Sequence, residues 1–504
     1  MSPPEVADGR HPAPPGGVAP RVVVVGGGVS GLAAAHRLRT RLGDTAAITV
    51  LESARVLGGK LAAVDLAGVR VDVGAEAFLA RRPEAAARLT ELGLADEIVH
   101  PAAASSAIRA GGASHAMPRR TVMGVPADPL AVADLLSPAG RAALAAEGTR
   151  GPLRWDGDDS VGGLVRARFG DEVAERLVDP LLGGVYSGRA DALGVRATMP
   201  ALAAALDRGA ESLRAAAAEA LPAAPPDGTA PTPVFGTLRS GLADLPSALA
   251  VAARAEVRLA RTVTGLARTP DGWRVTAAGP AGEEAIDADA VVLAVPAPGL
   301  RRLLADVAPD AARAAAGIEL ASSAVVALAV PPGTDLGARS GVLIGSGERR
   351  PDGTPWTIKA VTVSSVKWPH LVTDSALVLR ASVGRFGDIE SLNRDDDELV
   401  AAARSDLAAL LGLEAEPLET VVARWGGGLP QYGVGHDDRV AAIERAVAAV
   451  PGLAVAGAAL HGVGVPACLA TGDAAAAAVV EHLMTSTARR PRPGAVAPWS
   501  MWPG

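Results

Sequence analysis

Cysteine, lysine, tyrosine and asparagine are nearly missing from this 504-residue chain, and each shortage narrows what it can be. A single cysteine, Cys468, excludes an intramolecular disulfide framework and leaves too few thiols for an iron–sulfur cluster or a cysteine-rich zinc site. No metal is expected, and the expected setting is the cytoplasm. The chain also lacks an excess of positive charge: its formal net charge is −7, against the basic face that a nucleic-acid binder needs. No run reaches the ~18 consecutive apolar residues of a membrane span, so segments such as 320–332 (LASSAVVALAVPP) suit buried strands. Three of the 48 basic residues are lysines (Lys60, Lys359 and Lys367), Tyr186 and Tyr432 are the two tyrosines, and Asn393 is the one asparagine. A GC-rich coding sequence would starve the chain of these types, which makes the places where they do occur informative.

The length suggests about three domains. Residues 1–20 are rich in proline and glycine and read as a disordered tail without the features of a signal peptide, and 487–504 read as a flexible tail. Between them the chain opens as strand–helix–strand, with strands at 22–25 and 47–51 around a helix at 30–42. From about 84 to 220 the spacing is mostly helical, as where Val173, Leu177 and Leu181 recur every fourth position. The proline-rich stretch 221–233 reads as a surface loop. Strands are expected at 257–267, 272–277, 286–295, 357–363, 376–383 and 453–456, and helices at 394–411, 436–449 and 471–484.

The strongest motif is Gly26-Gly27-Gly28-Val29-Ser30-Gly31, which satisfies G-x-G-x-x-G between the first strand and the first helix. Gly26 permits the tight turn, Gly28 admits a pyrophosphate to the backbone, and Gly31 lets helix and strand pack closely. The helix N-terminus offers unpaired N–H groups to the phosphates. Glu52 ends the second strand where it can accept hydrogen bonds from a ribose. The following run, Ser53 to Gly58-Gly59-Lys60, resembles the second signature of the two-dinucleotide-binding FAD oxidoreductases. Segment 457–473, again a strand joined to a helix through glycines, resembles the part of that superfamily that brings a helix N-terminus to the flavin ring.

Seven further segments matter: 72–83, 115–129, 170–200, 367–371 (KWPHL), 380–388, 424–436 (RWGGGLPQYGVGH) and 457–468. With PLLGGVYSG at 180–188, they are similar to the protoporphyrinogen/coproporphyrinogen oxidase family, most closely to its Gram-positive, coproporphyrin-forming branch. The resemblance runs from about Arg21 to Val480. It implies an α/β fold with α+β elements, in three parts. These are a Rossmann-like two-dinucleotide-binding FAD domain (21–80, 234–300 and 421–486), a mixed-sheet substrate domain (81–84 and 301–420) and an inserted helical domain (85–225). The reaction it implies is oxidation of coproporphyrinogen III by O₂ in haem biosynthesis, with release of H₂O₂. Hand-off of product to a ferrochelatase and loose contact with a membrane surface fit the same picture. Protoporphyrinogen IX as substrate, or another flavin amine oxidase or desaturase activity, stays open.

For FAD, the resemblance adds Gly74 and Ala75 near the flavin, the Val263 backbone at the adenine, and Trp425 near the ring. It also adds Gly457 and, at the pyrimidine end, Gly464, Val465 and Pro466. The family often has proline where this chain has Ala75. For the substrate, Arg81 and Arg82 are the candidates for holding propionates. Two cations at the start of a helix oppose its dipole, so helix stability does not explain them, although a solvated surface pair is the alternative. The family commonly has lysine where this chain has Arg82. No residue is assigned to proton transfer, and Lys367, His436 and His461 are given no role.

Overall fold

The computed structural model describes residues 19–222 and 233–489. The expected tails and the proline-rich loop therefore lie outside the described residues except at their edges, and 487–489 form the last turn of the closing helix instead of a tail.

The valine run at 22–25 is buried on both faces, as a central parallel strand must be. It lies in a five-stranded parallel sheet in the order Glu256–Arg258, Ala47–Leu51, Arg21–Val25, Ala290–Leu293, Leu453–Val455. One face is covered by the first helix, Val29–Leu42, by Asp244–Ala253 and by the closing helix, Val465–Arg489. The other is covered by the antiparallel strands Thr262–Thr269, Gly272–Gly279 and Gly282–Ala288 together with three helices. The expected single strands at 257–267 and 286–295 are each divided, because the chain passes there from one sheet to the other.

A seven-stranded mixed sheet forms the second part, in the order Glu419–Pro430, Leu320–Val330, Leu377–Val383, Ile358–Thr362, Gly341–Ile344, Ser106–Ala110, Ala113–Ala116. Helix Asp396–Leu411 packs on one face, started by a reciprocal Asp395–Glu398 capping box and ended by Gly412 in the left-handed region. Two expectations change here. Residues 106–116, expected within the helical stretch, are a hairpin turned by Gly111-Gly112, both at positive φ, and the first strand of the hairpin pairs with Gly341–Ile344. Residues 421–430 belong to this sheet, while helices Ala297–Leu304 and Pro309–Ala316 join the nucleotide-side core.

Helices between 129 and 220 make the third part. Their core differs from the expected four-residue repeat because Ala174–Val178 is a π-helical turn. The extra residue rotates the following helix, so Leu182 is fully buried and Leu181 is not. The closing helix is long and apolar enough to cross a membrane, but half of that stretch is buried in the protein, mainly against the first helix. It begins at Val465, six residues before the expected start at 471.

The rotated register gives a direct test. Leu182→Ala is expected to cost about 2–5 kcal/mol and Leu181→Ala less than about 1 kcal/mol in chemical denaturation. Equal costs would contradict the π-turn.

Candidate active site

The glycine turn is built by contacts in which backbone meets backbone. A Cβ on Gly26 would overlap the Ala294 carbonyl, and one on Gly31 would overlap the carbonyl of Gly26. Gly28, by contrast, has only Gly59 near its would-be Cβ, at 4.0 Å, so its face is open to a ligand. The second glycine pair lies against the first: Gly58 N–H donates to Gly27 O at 2.9 Å, and a Cβ on Gly59 would sit 3.2 Å from Gly28 Cα. Gly58 and Gly59 have φ of 119° and 59°, a conformation that favours glycine.

A cleft of about 400 Å³ opens above these turns. Gly26, Gly28, Val29, Ser30, Glu52, Ser53, Gly59, Lys60, Ala75, Val263, Gly457 and Val465 line it. Glu52 is buried, accepting from Gly27 N and Ala54 N at 2.7 Å each and from Ser53 Oγ at 3.1 Å. The Lys60 ammonium makes no hydrogen bond or ion pair with the described residues, and burial holds its pKa below the usual lysine value. A desolvated cation without a partner, beside open glycine N–H groups and a helix N-terminus, fits a pyrophosphate. The lining joins the first glycine turn, Glu52, Val263 and the start of the closing helix in one cleft, an arrangement that fits an extended dinucleotide such as FAD.

Gly27, Gly31, Gly74, Trp425, Gly464 and Pro466 support the cleft without lining it. Gly74 packs on the Lys60 carbonyl, Ala75 N–H donates to that same oxygen at 3.0 Å, and Trp425 Nε1 donates to Val73 O at 3.1 Å. Gly464 and Pro466 flank Val465 at the helix N-terminus. The carbonyl of Val263 is taken by Arg302 at 2.6 Å. Arg81 and Arg82 stand apart, exposed at the foot of helix Pro83–Glu91, with Arg82 paired to Glu84 at 2.6 Å.

Two polar clusters beside the cleft escaped the sequence reading. Glu76, two residues past Gly74, is a nearly buried carboxylate held by Lys367 Nζ and by Arg380, the latter at 2.8 Å. Burial alone would raise its pKa, but the two cations outweigh burial and hold it at about 2. Arg380 also donates to Gly74 O at 2.9 Å, so the triad ties the loop beside the cleft to the mixed sheet. The signal was present: an acid in the 72–83 segment and rare or motif-bound cations in two others. The second cluster is Tyr432 and His436, stacked at 3.9 Å. Tyr432 Oη donates to Ala458 O at 2.6 Å, and His436 Nε2 bonds Leu460 O at 3.0 Å. Burial lowers the pKa of His436, and through these two carbonyls the stacked pair is tied to the loop that follows Gly457. Cys468 lines the cleft with its thiol pKa pushed up by burial.

Gly31→Ala is expected to lower bound flavin at least tenfold, read by absorbance of the purified protein, because the helix must retreat from the turn. An unchanged flavin content would remove the close-packing argument. The Glu76 carboxylate, with a folded pKa below its unfolded value, contributes stability above about pH 4.5 that is lost as pH falls towards about 2. Acid unfolding should therefore show this loss in the parent protein and not in Glu76→Gln, followed by circular dichroism.

Comparison with known proteins agrees with this geometry. The flavin containing amine oxidoreductase family matches residues 29–480. Coproporphyrinogen III oxidase of Mycobacterium leprae (strain TN) is 45% identical over 468 residues, which covers 92% of this chain and 98% of that protein. The protein of the same name from Bacillus subtilis (strain 168) is 29% identical, with the same coverage. A solved structure from Exiguobacterium sp. 255-15, provisionally called a protoporphyrinogen oxidase, superposes with a TM-score of 0.79 at 30% identity, covering 92% of this chain and 99% of that one. The chain belongs to the flavin-containing amine oxidoreductases, as an FAD-dependent oxidase whose similarity lies with the coproporphyrinogen III oxidases.

Proposed function

We propose that the protein oxidises coproporphyrinogen III to coproporphyrin III with O₂ as acceptor. The observation that carries this reading is the end-to-end 45% identity to the M. leprae coproporphyrinogen III oxidase, over a cleft shaped for FAD. The substrate loses six hydrogens, as six electrons and six protons, and three O₂ become three H₂O₂. Bound FAD supplies the hydride acceptor.

The chain's own residues position and desolvate. The turn of Gly26–Gly31 with Gly59 and Lys60 holds the pyrophosphate, and Glu52 stands at the ribose. Leu61, Ala75, Leu320, Pro430, Val463 and Val465 give the cleft apolar walls that exclude water. The other ionisable groups lining it are occupied or neutral: Arg261 pairs with Glu284, Arg302 holds Val263, and the Cys468 thiol is kept protonated. No side chain there is placed as a strong base, in keeping with chemistry carried by the cofactor. Arg81 and Arg82 remain the proposed docking cations for propionates, and binding there would have to share Arg82 with Glu84. The same reading puts the enzyme in the cytoplasm and passes its product to a ferrochelatase.

A second reading, protoporphyrinogen IX as preferred substrate, draws on the name given to the Exiguobacterium protein. Rates of porphyrin fluorescence gain on the two porphyrinogens separate them; the proposal expects faster turnover of coproporphyrinogen, and no gain over the spontaneous rate would end it. Arg82→Ala is expected to raise KM for coproporphyrinogen about fivefold, the scale of an exposed ion pair, with flavin content unchanged. An unchanged KM would remove Arg82 from the substrate site.

A further inference from the structure

Lys359 is buried to 8% exposure on strand Ile358–Thr362, far in the sequence from either glycine signature. It falls where the pairing with Leu377–Val383 slips by one residue, Ile358 facing Val383 and Ala360 facing Ser382. Such a bulge re-aims a side chain. Here Lys359 reaches the seam between the sheet and the helix Asp179–Tyr186, donating to Ser187 Oγ at 2.5 Å and to Gly384 O at 2.6 Å. Both partners are neutral, and no carboxylate of the described residues lies within 4.0 Å of it. An ammonium has three N–H donors, so one donor and the whole charge are uncompensated in a buried place.

That side chain lines a cavity of about 240 Å³. Charges of both signs surround it. Arg385 is neutralised by Asp179 at 2.8 Å. Glu348 accepts from Gly111 and Gly112 N–H, and Asp388 from Ser391 N–H at 3.1 Å. Arg189 and Arg349 make bonds only to backbone carbonyls, of Phe386 and Gly353. The cavity therefore presents three cations outside any ion pair, Lys359, Arg189 and Arg349, against two carboxylates, Glu348 and Asp388, that are held by backbone N–H groups, and Lys359 is the buried one among the three.

Its position relates it to the cofactor cleft. On strand Leu377–Val383, Arg380 bonds Gly74 O beside the cleft-lining Ala75. Gly384, which holds Lys359, lies four residues further along, or about 13 Å at the rise of a β-strand. One strand and the residue after it therefore connect the loop beside the cleft to the carbonyl that holds Lys359. Ser187, the other partner of Lys359, belongs to the PLLGGVYSG run.

We propose that this cavity receives one peripheral carboxylate of the tetrapyrrole, held by Lys359 and Arg189, and thereby selects tetracarboxylate over dicarboxylate porphyrinogens. The proposal rests on the porphyrinogen reading above. Burial, helped by Arg385 and opposed by Asp388, lowers the pKa of Lys359 to about 7, so its charge is available on the acid side of neutrality.

The test is binding to the FAD-loaded enzyme, read by fluorescence quenching, with coproporphyrin III (four carboxylates) and deuteroporphyrin IX (two) as probes. Lys359→Met is expected to raise Kd for coproporphyrin III about tenfold, as loss of a charge-assisted hydrogen bond should, and to change that for deuteroporphyrin by less than about twofold. The parent enzyme should also bind coproporphyrin III more weakly at about pH 8 than at pH 6, and the variant should not. Arg189→Gln, an exposed change that leaves the fold intact, should weaken coproporphyrin III alone by about threefold and decides the matter if Lys359→Met does not fold. Equal effects on both probes, or none, overturn the cavity's role while leaving coproporphyrinogen turnover by the parent enzyme as the separate measure of the porphyrinogen reading. A parent enzyme that neither binds coproporphyrin III nor oxidises coproporphyrinogen overturns both.

Discussion

The contact on which the rest depends is backbone against backbone, where the first helix meets the turn that starts it and the helix that ends the chain. Gly31 packs on the Gly26 carbonyl, and Gly472 packs on the Ser30 carbonyl. A methyl group at either place would push the first helix away from the sheet or from the closing helix. Held this close, the N-termini of the two helices converge on one cleft, although they lie more than 400 residues apart in sequence. The second glycine pair repeats the device in milder form, since a Cβ on Gly59 would sit 3.2 Å from Gly28 Cα. The cleft is thus a space defined by missing side chains, with phosphate-binding N–H groups as its floor.

Charge performs a different task, at the seams between the three parts. Glu76 with Lys367 and Arg380 ties the loop beside the cleft to the mixed sheet. Asp179 with Arg385 and Ser346 ties the helical part to the same sheet, and also accepts from Ala190 N–H at 2.7 Å. Apolar contact would hold these seams with little directional preference, whereas paired and hydrogen-bonded carboxylates fix one arrangement. Losing one partner would strand a buried charge. The placement of the loop beside the cleft and of the helix that ends at Ser187, both against the mixed sheet, is therefore set by ion pairs.

What the sequence made legible was local. The G-x-G-x-x-G turn, strands at 22–25 and 47–51, and Glu52 after them all follow from residues within about thirty positions, and the backbone follows them closely. The hairpin at 106–116 was not legible, because its strand character comes from pairing with Gly341–Ile344. Leu182 replaced Leu181 in the core because a π-turn inserts one residue, and Ala174–Val178 carries no composition that announces it. Glu76, Tyr432 and His436 had to wait for the fold for the same reason: Glu76 meets its cations only when Lys367 and Arg380, some three hundred residues away, arrive, and Tyr432 and His436 meet the carbonyls of Ala458 and Leu460 only when the loop after Gly457 folds back on them. The cofactor residues that line the cleft were readable as a motif, while Arg81 and Arg82 were readable only as charge.

The scarcity of lysine takes on a physical meaning here. Composition alone suggested a drift towards arginine, and by sequence Lys359 had no place in any motif. In the structure none of the three lysines is a free surface charge: Lys60 faces the cleft, Lys367 grips Glu76, and Lys359 fills the seam behind the mixed sheet. Arginine would serve poorly at two of these sites. Its guanidinium stays charged however deeply it is buried, and its wide fork needs several acceptors in a plane. Lys60 and Lys359 are desolvated cations without a carboxylate partner, a state that lysine tolerates by letting its pKa fall. A compact ammonium that tolerates burial without a carboxylate is suited to both places, and in this chain the rare residue stands where arginine fits worst.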